Sequence, residues 1–351
     1  MSLGKKLLSG VIAAAMLGTV VIPAMAKEFP DTVDHWGKDA VSVWSDRGVV
    51  KGDDQGNFRP DDSVTRAETA TILDNLIGYQ KQSNKVFSDV AKEDWYAGAI
   101  SRLYEAQVMT GYEDGTVRPS AAISRQEASV MIARAFGLET DSANVSSLDV
   151  FGDRDQVGDW AQNAVALMAD RGYIQGSDGL FRPTDPITRA EIVTILNNMV
   201  AIYADGTQSV YTGGDYSNKI AVIKADVTFN GVSMAGAVIS PAVTGRVNFN
   251  SGTVISGQLL DLTTDATIGT SGATIGSQSS PNKSDDSSSD NSYNGGSSII
   301  NGGGSWGGGS SGGSSGGGSS STSYTVTFNP NGGAFGGSTQ SLPFLISAVQ
   351  P

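Results

Sequence analysis

The chain has 351 residues, among them 45 glycines, one histidine and no cysteine, and its formal net charge is −13 at pH 7. That length is enough for two or three domains. The absence of cysteine excludes disulfides, thiolate nucleophiles and thiolate metal ligands. The negative charge is unfavourable for nonspecific nucleic-acid binding, which needs a basic face, so we expect no nucleic-acid partner. Affinity for an anionic ligand has to come from local arginines, because the overall field repels anions.

Residues 1–26 have the pattern of a secretory signal peptide. Lys5 and Lys6 precede an apolar stretch, and Ala24-Met25-Ala26 supplies a small-x-small cleavage pattern. An uncleaved membrane anchor is the alternative, although the apolar run is a little short for a full span. We therefore expect a secreted chain that has no membrane contact after cleavage. Such a chain is either released or held at the cell by another kind of contact.

Residues 27–205 contain three copies of one pattern, which we assign to 27–82, 83–145 and 146–205. Each copy opens with Phe-x-Asp and continues with a tryptophan, and a glycine lies sixteen residues after that tryptophan. An Arg-Pro pair follows, and a second arginine lies seven residues beyond the first. In chain order these residues are Asp31, Asp89 and Asp153; Trp36, Trp95 and Trp160; Gly52, Gly111 and Gly176; and, as the second arginines, Arg66, Arg125 and Arg189.

Each copy is predicted to form helix, loop, helix. Apolar residues four, five and eight positions after each tryptophan predict a first helix with one buried face. A capping box predicts the start of the second helix, because a hydroxyl and a glutamate three residues later satisfy backbone N–H groups there. The three boxes are Thr65-Arg66-Ala67-Glu68, Ser124-Arg125-Gln126-Glu127 and Thr188-Arg189-Ala190-Glu191. One such unit cannot bury a core alone, so we expect the three to pack about a shared axis.

This succession of Phe-x-Asp, Trp, Gly-x-x-x-Gly, Phe-x-Pro and Thr-Arg-Ala-Glu resembles the S-layer homology (SLH) domain, three times over. The resemblance implies a mainly α, pseudo-threefold unit that binds secondary cell-wall polysaccharide, often pyruvylated, in grooves between the repeats. It also implies that Arg66, Arg125 and Arg189 contact the acidic sugar. The expected location is the cell wall or surface layer.

The chemistry of the motif agrees with an anionic ligand. An arginine at the first helical position is expected beside free backbone N–H groups and the positive helix end, and its planar fork suits a carboxylate. The alternative is a solvated or salt-bridged arginine, paired with the aspartate of the Phe-x-Asp element. The hydroxyl and the glutamate are expected to serve as caps alone, and the aspartates to hold local structure.

The tryptophans and glycines of the pattern also have two interpretations. A tryptophan can offer a flat face to a sugar ring, but we favour burial in the core. The glycines are expected to be turn residues first, and they also allow a ligand to approach the backbone closely. The middle repeat departs from the pattern, since Val117 replaces the usual Phe and Gln126 the usual Ala. We therefore expect the groove of this repeat to differ in affinity.

Residues 206–276 change character and are predicted to be β-rich. Short alternating runs of Val, Ile, Thr and Asn are separated by turn signals such as Asn230-Gly231 and Ser251-Gly252. This spacing favours a β-solenoid over a small sandwich. Residues 277–323 are almost entirely Gly, Ser, Asn and Asp and read as a flexible linker. Residues 324–351 resemble the opening of an internalin-type B-repeat, a small β module, of which only part is present.

Catalysis, a cofactor and a metal site are not expected. After Glu191 the chain contains no further glutamate, histidine or cysteine, so nucleophile–base pairs that use imidazole or thiol are excluded there. The loop at Asp53 lacks the ligand spacing of a calcium loop. We predict non-covalent anchoring of an exported protein to an anionic wall polysaccharide. The alternatives are a lattice-forming surface-layer subunit and an adhesin whose repeats bind peptidoglycan.

Overall fold

A computed structural model of the protein describes residues 28–283. The predicted signal peptide, most of the predicted linker and the partial repeat at 324–351 lie outside the described residues. Within the described chain, a helical part is followed by a parallel β-solenoid of about four turns. This order confirms the predicted fold class.

The helical part has two α-helices in each repeat, as predicted. Apolar faces predicted for these helices, such as Ala40, Val41 and Trp44, are buried. Short 3-10 segments lie at Pro30–Thr32, Thr140–Ser142, Val145–Val150 and Arg154–Gln156. The α-helices are α1 (Lys38–Asp46), α2 (Arg66–Ile77), α3 (Ala97–Glu105), α4 (Arg125–Ala135), α5 (Asp159–Asp170) and α6 (Arg189–Met199).

The second helix of each repeat begins where the sequence predicts. The Thr65 hydroxyl accepts a hydrogen bond from the Glu68 backbone N–H, and the Glu68 carboxylate accepts one from the Thr65 N–H. The same reciprocal pair caps α4 at Ser124 and α6 at Thr188. All three capping boxes are therefore confirmed, which fixes where α2, α4 and α6 enter the fold.

The three repeats close into a ring. The second helix of each repeat packs against the first helix of the next: α2 against α3, α4 against α5, and α6 against α1. At the centre, the Val64 N–H donates to the Ile187 carbonyl at 3.0 Å and the Ile187 N–H donates to the Ile123 carbonyl at 3.0 Å. The Ile123 N–H donates to the Val64 carbonyl at 2.9 Å, which completes the cycle. These three hydrogen bonds surround the shared axis about which the three repeats are predicted to pack.

The solenoid consists of two parallel sheets in which each turn pairs with the turn before it. The five-stranded sheet has the order β1-β3-β5-β7-β9, and the four-stranded sheet has the order β2-β4-β6-β8. The first strand starts directly after α6, ahead of the predicted boundary at residue 206. The strands are β1 (Val200–Ala204), β2 (Val210–Thr212), β3 (Asp215–Ile223), β4 (Val227–Asn230), β5 (Ser233–Ile239), β6 (Arg246–Phe249), β7 (Val254–Asp261), β8 (Thr267–Gly269) and β9 (Thr274–Ser279).

Aromatic side chains at equivalent positions of successive solenoid turns stack on one another. The rings of Tyr211, Phe229 and Phe249 form a column with 5.3 Å between neighbouring centroids. The predicted turns are confirmed at Gly231 and Gly252, whose φ angles of 62° and 80° suit glycine. Each turn therefore repeats the side-chain environment of its neighbour, as parallel in-register strands require.

One face of the solenoid packs on the helical ring. The buried core of the ring is continuous with apolar residues of the five-stranded sheet, among them Ile220, Val238 and Leu260. The chain after α2 reaches this sheet at Gly78, where an added Cβ would lie 3.2 Å from Ser240 Oγ. The chain after α4 reaches it at Gly137, where an added Cβ would lie 2.9 Å from Leu260 Cδ2. The sheet thus covers the C-terminal ends of the second helices.

Candidate functional site

The aspartate of each Phe-x-Asp element holds the loop before the second helix. Asp31 accepts hydrogen bonds from the backbone N–H groups of Phe58, at 2.9 Å, and Arg59, at 2.6 Å. Asp89 binds Val117 and Arg118 in the same way, and Asp153 binds Phe181 and Arg182. Burial alone would raise the pKa of Asp31, but these backbone donors outweigh it and the pKa is lowered. These hydrogen bonds fit the structural role that the sequence predicts for the aspartates.

The arginine of each Arg-Pro pair adopts a left-handed backbone conformation. The φ angles are 58° at Arg59, 51° at Arg118 and 54° at Arg182. A residue with a Cβ pays for this conformation in steric strain. The aspartate of the Phe-x-Asp element accepts two charge-assisted hydrogen bonds from the backbone N–H groups of this arginine and of the residue before it, which offsets that strain in every repeat.

The pattern glycines are required by close packing. A Cβ on Gly52 would lie 2.4 Å from Phe29 Cε1, and a Cβ on Gly111 would lie 2.4 Å from Phe87 Cε1. At Gly176 the nearest atom is the carbonyl oxygen of Leu180, at 2.4 Å, and φ is 67°. Each glycine therefore lets the phenylalanine of its own Phe-x-Asp element pack beneath the loop.

The three second-helix arginines link each repeat to the next. Arg66 Nε donates to the Val117 carbonyl at 2.9 Å, and Nη1 lies 3.3 Å from a Glu127 carboxylate oxygen. In the same order, Arg125 binds the Phe181 carbonyl and Glu191, and Arg189 binds the Phe58 carbonyl and Glu68. Because the third repeat returns to the first, the three pairs form a cycle.

This cycle corrects two expectations. The arginines do not pair with the Phe-x-Asp aspartates; their carboxylate partners are the glutamates of the neighbouring repeats. The glutamates are not caps alone, since one oxygen caps the helix and the other receives the arginine. The guanidinium groups are largely buried, and burial lowers the pKa of Arg189 although Glu68 acts in the opposite direction.

The helix starts are also not open to an anion as we expected. The Arg66 N–H donates to the Ala121 carbonyl at 2.9 Å, and the Ala67 N–H donates to the Pro119 carbonyl at 3.0 Å. The N–H groups at the starts of α4 and α6 bind carbonyls of the next repeat in the same way. The expectation of free N–H groups was wrong because the ring closure itself consumes these donors.

The tryptophans are on the surface, so our preference for burial was wrong. The exposed fractions are 63% for Trp36, 65% for Trp95 and 59% for Trp160. Trp36 and Trp95 lie just before α1 and α3, and Trp160 lies in the first turn of α5, so each indole stands at the start of the first helix of its repeat. His35 packs beside Trp36, with 5.0 Å between the ring centroids. Because all three indole rings are exposed, the alternative that they offer a flat face to a sugar ring stays a prediction.

A groove along α4 collects one predicted site residue from each repeat: Arg66, Gly111 and Trp160. The cavity measures about 130 Å³. Its wall also contains Tyr112, whose ring centroid lies 5.0 Å from the Arg66 guanidinium carbon, and Arg134. The structure does not place Trp36 or Trp95 in this cavity.

Sequence reasoning missed Tyr112 and Arg134 as groove residues. Tyr112 stands where the other repeats have Asp53 and Ser177, and Arg134 stands where they have Asn75 and Asn198. The departures of the middle repeat from the common pattern were the available signal. No cluster of three or more metal-ligating side chains occurs within residues 28–283. Over the same residues, no helix has the length and apolarity to cross a bilayer.

The ring of helix pairs, closed by arginines and glutamates of a repeated capping motif, forms one triple-repeat helical domain. Residues 28–70, 86–129 and 150–193 match the family model of the S-layer homology domain. The chain therefore carries three S-layer homology domains, as the sequence resemblance implies.

Similar proteins include both surface-layer proteins and enzymes. The chain is 31% identical over 53% of its length to S-layer protein sap of Bacillus anthracis, covering 23% of that protein. It is 29% identical over 56% of its length to the surface-layer 125 kDa protein of Lysinibacillus sphaericus, covering 17% of it. It is 34% identical over 49% of its length to exoglucanase XynX of Acetivibrio thermocellus, covering 16% of it. The chain thus spans less than a quarter of the length of these relatives, and the repeats indicate a cell-surface or cell-wall location.

Proposed function

We propose that the three S-layer homology domains hold this chain non-covalently at the cell wall by binding an anionic secondary polysaccharide, with a pyruvylated sugar as the recognised unit. The observation that carries the proposal is the α4 groove, which combines two arginines with an exposed indole ring. Arginine suits a carboxylate, and an aromatic face suits the apolar side of a sugar ring.

The hydrogen bonding of Arg66 supports this proposal. Arg66 makes three hydrogen bonds inside the protein, so two of its five N–H groups remain for a ligand. Because the guanidinium is held by those bonds, little rotamer freedom is lost when a ligand binds. Three pseudo-equivalent grooves on one rigid ring would add avidity along a polymer.

We also propose that the chain is not an enzyme. The similarity to exoglucanase XynX and to the amylopullulanase of Thermoanaerobacterium thermosulfurigenes covers 16% and 10% of those proteins. Those matches span 177 and 179 residues, a stretch about as long as the three repeats, so they give no support for a catalytic domain in this chain. A role in a surface-layer lattice is the second candidate, favoured by the surface-layer relatives. Electron microscopy of the purified chain separates the two, since ordered sheets indicate a lattice subunit.

The binding test uses the full chain and cell walls with and without the secondary polymer. Untreated walls should retain the protein, and stripped walls should not. Trp160→Ala should weaken retention at least tenfold, because the indole lines the groove and is 59% exposed. Val86→Ala is the matched surface control, since Val86 is 80% exposed. Undiminished binding to stripped walls would contradict the polymer and point to peptidoglycan.

A further inference from the structure

One groove position in the second helix carries a different kind of side chain in the middle repeat than in the other two. Asn75 in α2 donates its side-chain amide to the Val49 carbonyl, and Asn198 in α6 donates to the Tyr173 carbonyl, both at 3.2 Å. These amides tie the helix to the loop that follows the first helix of the same repeat. In α4 the equivalent residue is Arg134, which is exposed and lines the open groove. The groove along α4 is therefore chemically distinct.

Charge separates this groove from its equivalents. Arg66 is neutralised by Glu127, just as Arg125 is by Glu191 and Arg189 is by Glu68. Each Arg–Glu pair therefore contributes no net charge to its groove. Arg134 has no carboxylate partner among residues 28–283, so it brings one uncompensated positive charge to the α4 groove.

We infer that Arg134 makes the groove along α4 the principal anion-binding groove of the ring and selects a sugar unit that carries a carboxylate. This inference rests on the proposed function and names the groove and the residue that decide it. Arg134 attracts the ligand charge and pairs with the carboxylate, while the held guanidinium of Arg66 orients it. Trp160 and Tyr112 bound the space beside them. A volume of about 130 Å³ is below the roughly 300–1,000 Å³ of sites for larger ligands, so it suits one small acidic unit.

The first experiment is calorimetric titration of the full chain with a pyruvylated amino-sugar monosaccharide and with its pyruvate-free form. The wild-type chain should bind the pyruvylated sugar more tightly than the neutral one, and added salt should weaken that binding. Arg134→Asn, which copies the other two repeats, should lower the affinity by about ten- to a hundred-fold. Arg134→Lys should retain part of it, because the charge stays but the planar fork is lost.

Two further variants serve as controls. Lys51 in the first repeat occupies the position that Thr110 occupies in the second, and its side chain is exposed. It lies next to Arg189 and is therefore a cation of another groove. Lys51→Thr should change the affinity by less than threefold. Asn198→Arg places a free arginine beside the groove of Arg125 and should add a second, weaker site. Unchanged thermal melting of Arg134→Asn excludes misfolding, as expected for an exposed side chain.

The outcomes distinguish this inference from the proposed function. Retention on walls together with equal affinity of wild type and Arg134→Asn would overturn the inference and leave the anchoring function intact. A larger loss for Lys51→Thr than for Arg134→Asn would assign the site to another groove. Binding to walls but not to the monosaccharide would overturn the ligand class. A wild-type chain that binds neither walls nor sugar would overturn the proposed function itself.

Discussion

The helical ring and the solenoid are both built from repeats, but the repeats are joined differently. In the ring, the third repeat returns to the first, and Arg189 donates to the Phe58 carbonyl 131 positions earlier in the chain. In the solenoid, pairing joins neighbouring turns, as between Thr228 and Asn248. Loss of one contact between repeats therefore opens the whole ring, whereas the solenoid can lose its last turn and keep the others. Stability should respond to damage very differently in the two regions.

The largest expected effect comes from removing the solenoid. Ending the chain after Asp205 uncovers Tyr79, Phe136 and their neighbours at the helix ends. Since each large apolar side chain uncovered costs about 1.5–3 kcal/mol, the ring should lose most of its stability. Ending the chain after Leu262 should cost far less, because the apolar residues that face the helices are kept. Thermal unfolding followed by near-ultraviolet circular dichroism measures both, and equal melting of the two truncations would show that the ring is independent.

Breaking one link of the ring should have the next largest effect. Arg125→Ala leaves Glu191 in a half-buried position without its cation, and we expect a loss of about 3–5 kcal/mol in the free energy of unfolding. Arg154→Ala is the control, because that exposed arginine also pairs with an aspartate, Asp149, but should cost less than about 1 kcal/mol. Urea unfolding measures the difference. A double variant with Glu191→Ala tests the coupling, and purely additive losses would contradict the link.

A glycine of the common pattern should show a smaller effect. Gly111→Ala forces a Cβ to within 2.4 Å of the Phe87 ring and 3.0 Å of the Thr116 carbonyl. Overpacking of this kind costs about 1–3 kcal/mol. Gly152→Ala is matched, since its Cβ meets Leu180 at an ordinary 3.4 Å. The two melting temperatures should differ clearly, and equal values would mean that the phenylalanine moves without cost.

The smallest expected effect is a gain in stability. Gln107 has a φ of 58° at the end of α3, where the other repeats have Gly48 and Gly172, each with a φ of 69°. Gln107→Gly should relieve left-handed strain and stabilise the fold by up to about 1 kcal/mol, after the entropic cost of glycine. Gly48→Gln is the reverse change and should destabilise by a similar amount. A loss of stability in Gln107→Gly would show that the glutamine side chain makes a compensating contact.

The sequence predicts much of the local structure because the deciding interactions are short in range. The capping boxes at Thr65, Ser124 and Thr188 set the helix starts, and the Gly231 and Gly252 turns mark the solenoid. These features need a few neighbouring residues, so one sequence suffices to find them. The same holds for the aspartates, whose partners lie in their own repeat.

The roles of the motif arginines depend on packing between repeats, which a single repeat does not encode. Arg66 meets Glu127 because α2 packs next to the second repeat, and the same closure occupies the N–H groups at its helix start. The sequence favours Trp160 in the core because large aromatic residues are usually well buried, yet in the first turn of α5 it is exposed and lines the groove. Arg134 becomes meaningful when the three grooves are compared in space.

The direct passage from Met199 in α6 to Val200 in β1 has a mechanical consequence. A pull applied from the C-terminal side acts first on β9, whose hydrogen bonds to β7 carry the load at the end of the stack. Parallel turns separate one after another, and each released turn lengthens the chain and absorbs work. The ring, tied by bonds between distant residues, is loaded last. Force applied from the C-terminal side should therefore be taken up turn by turn in the solenoid before it reaches the ring.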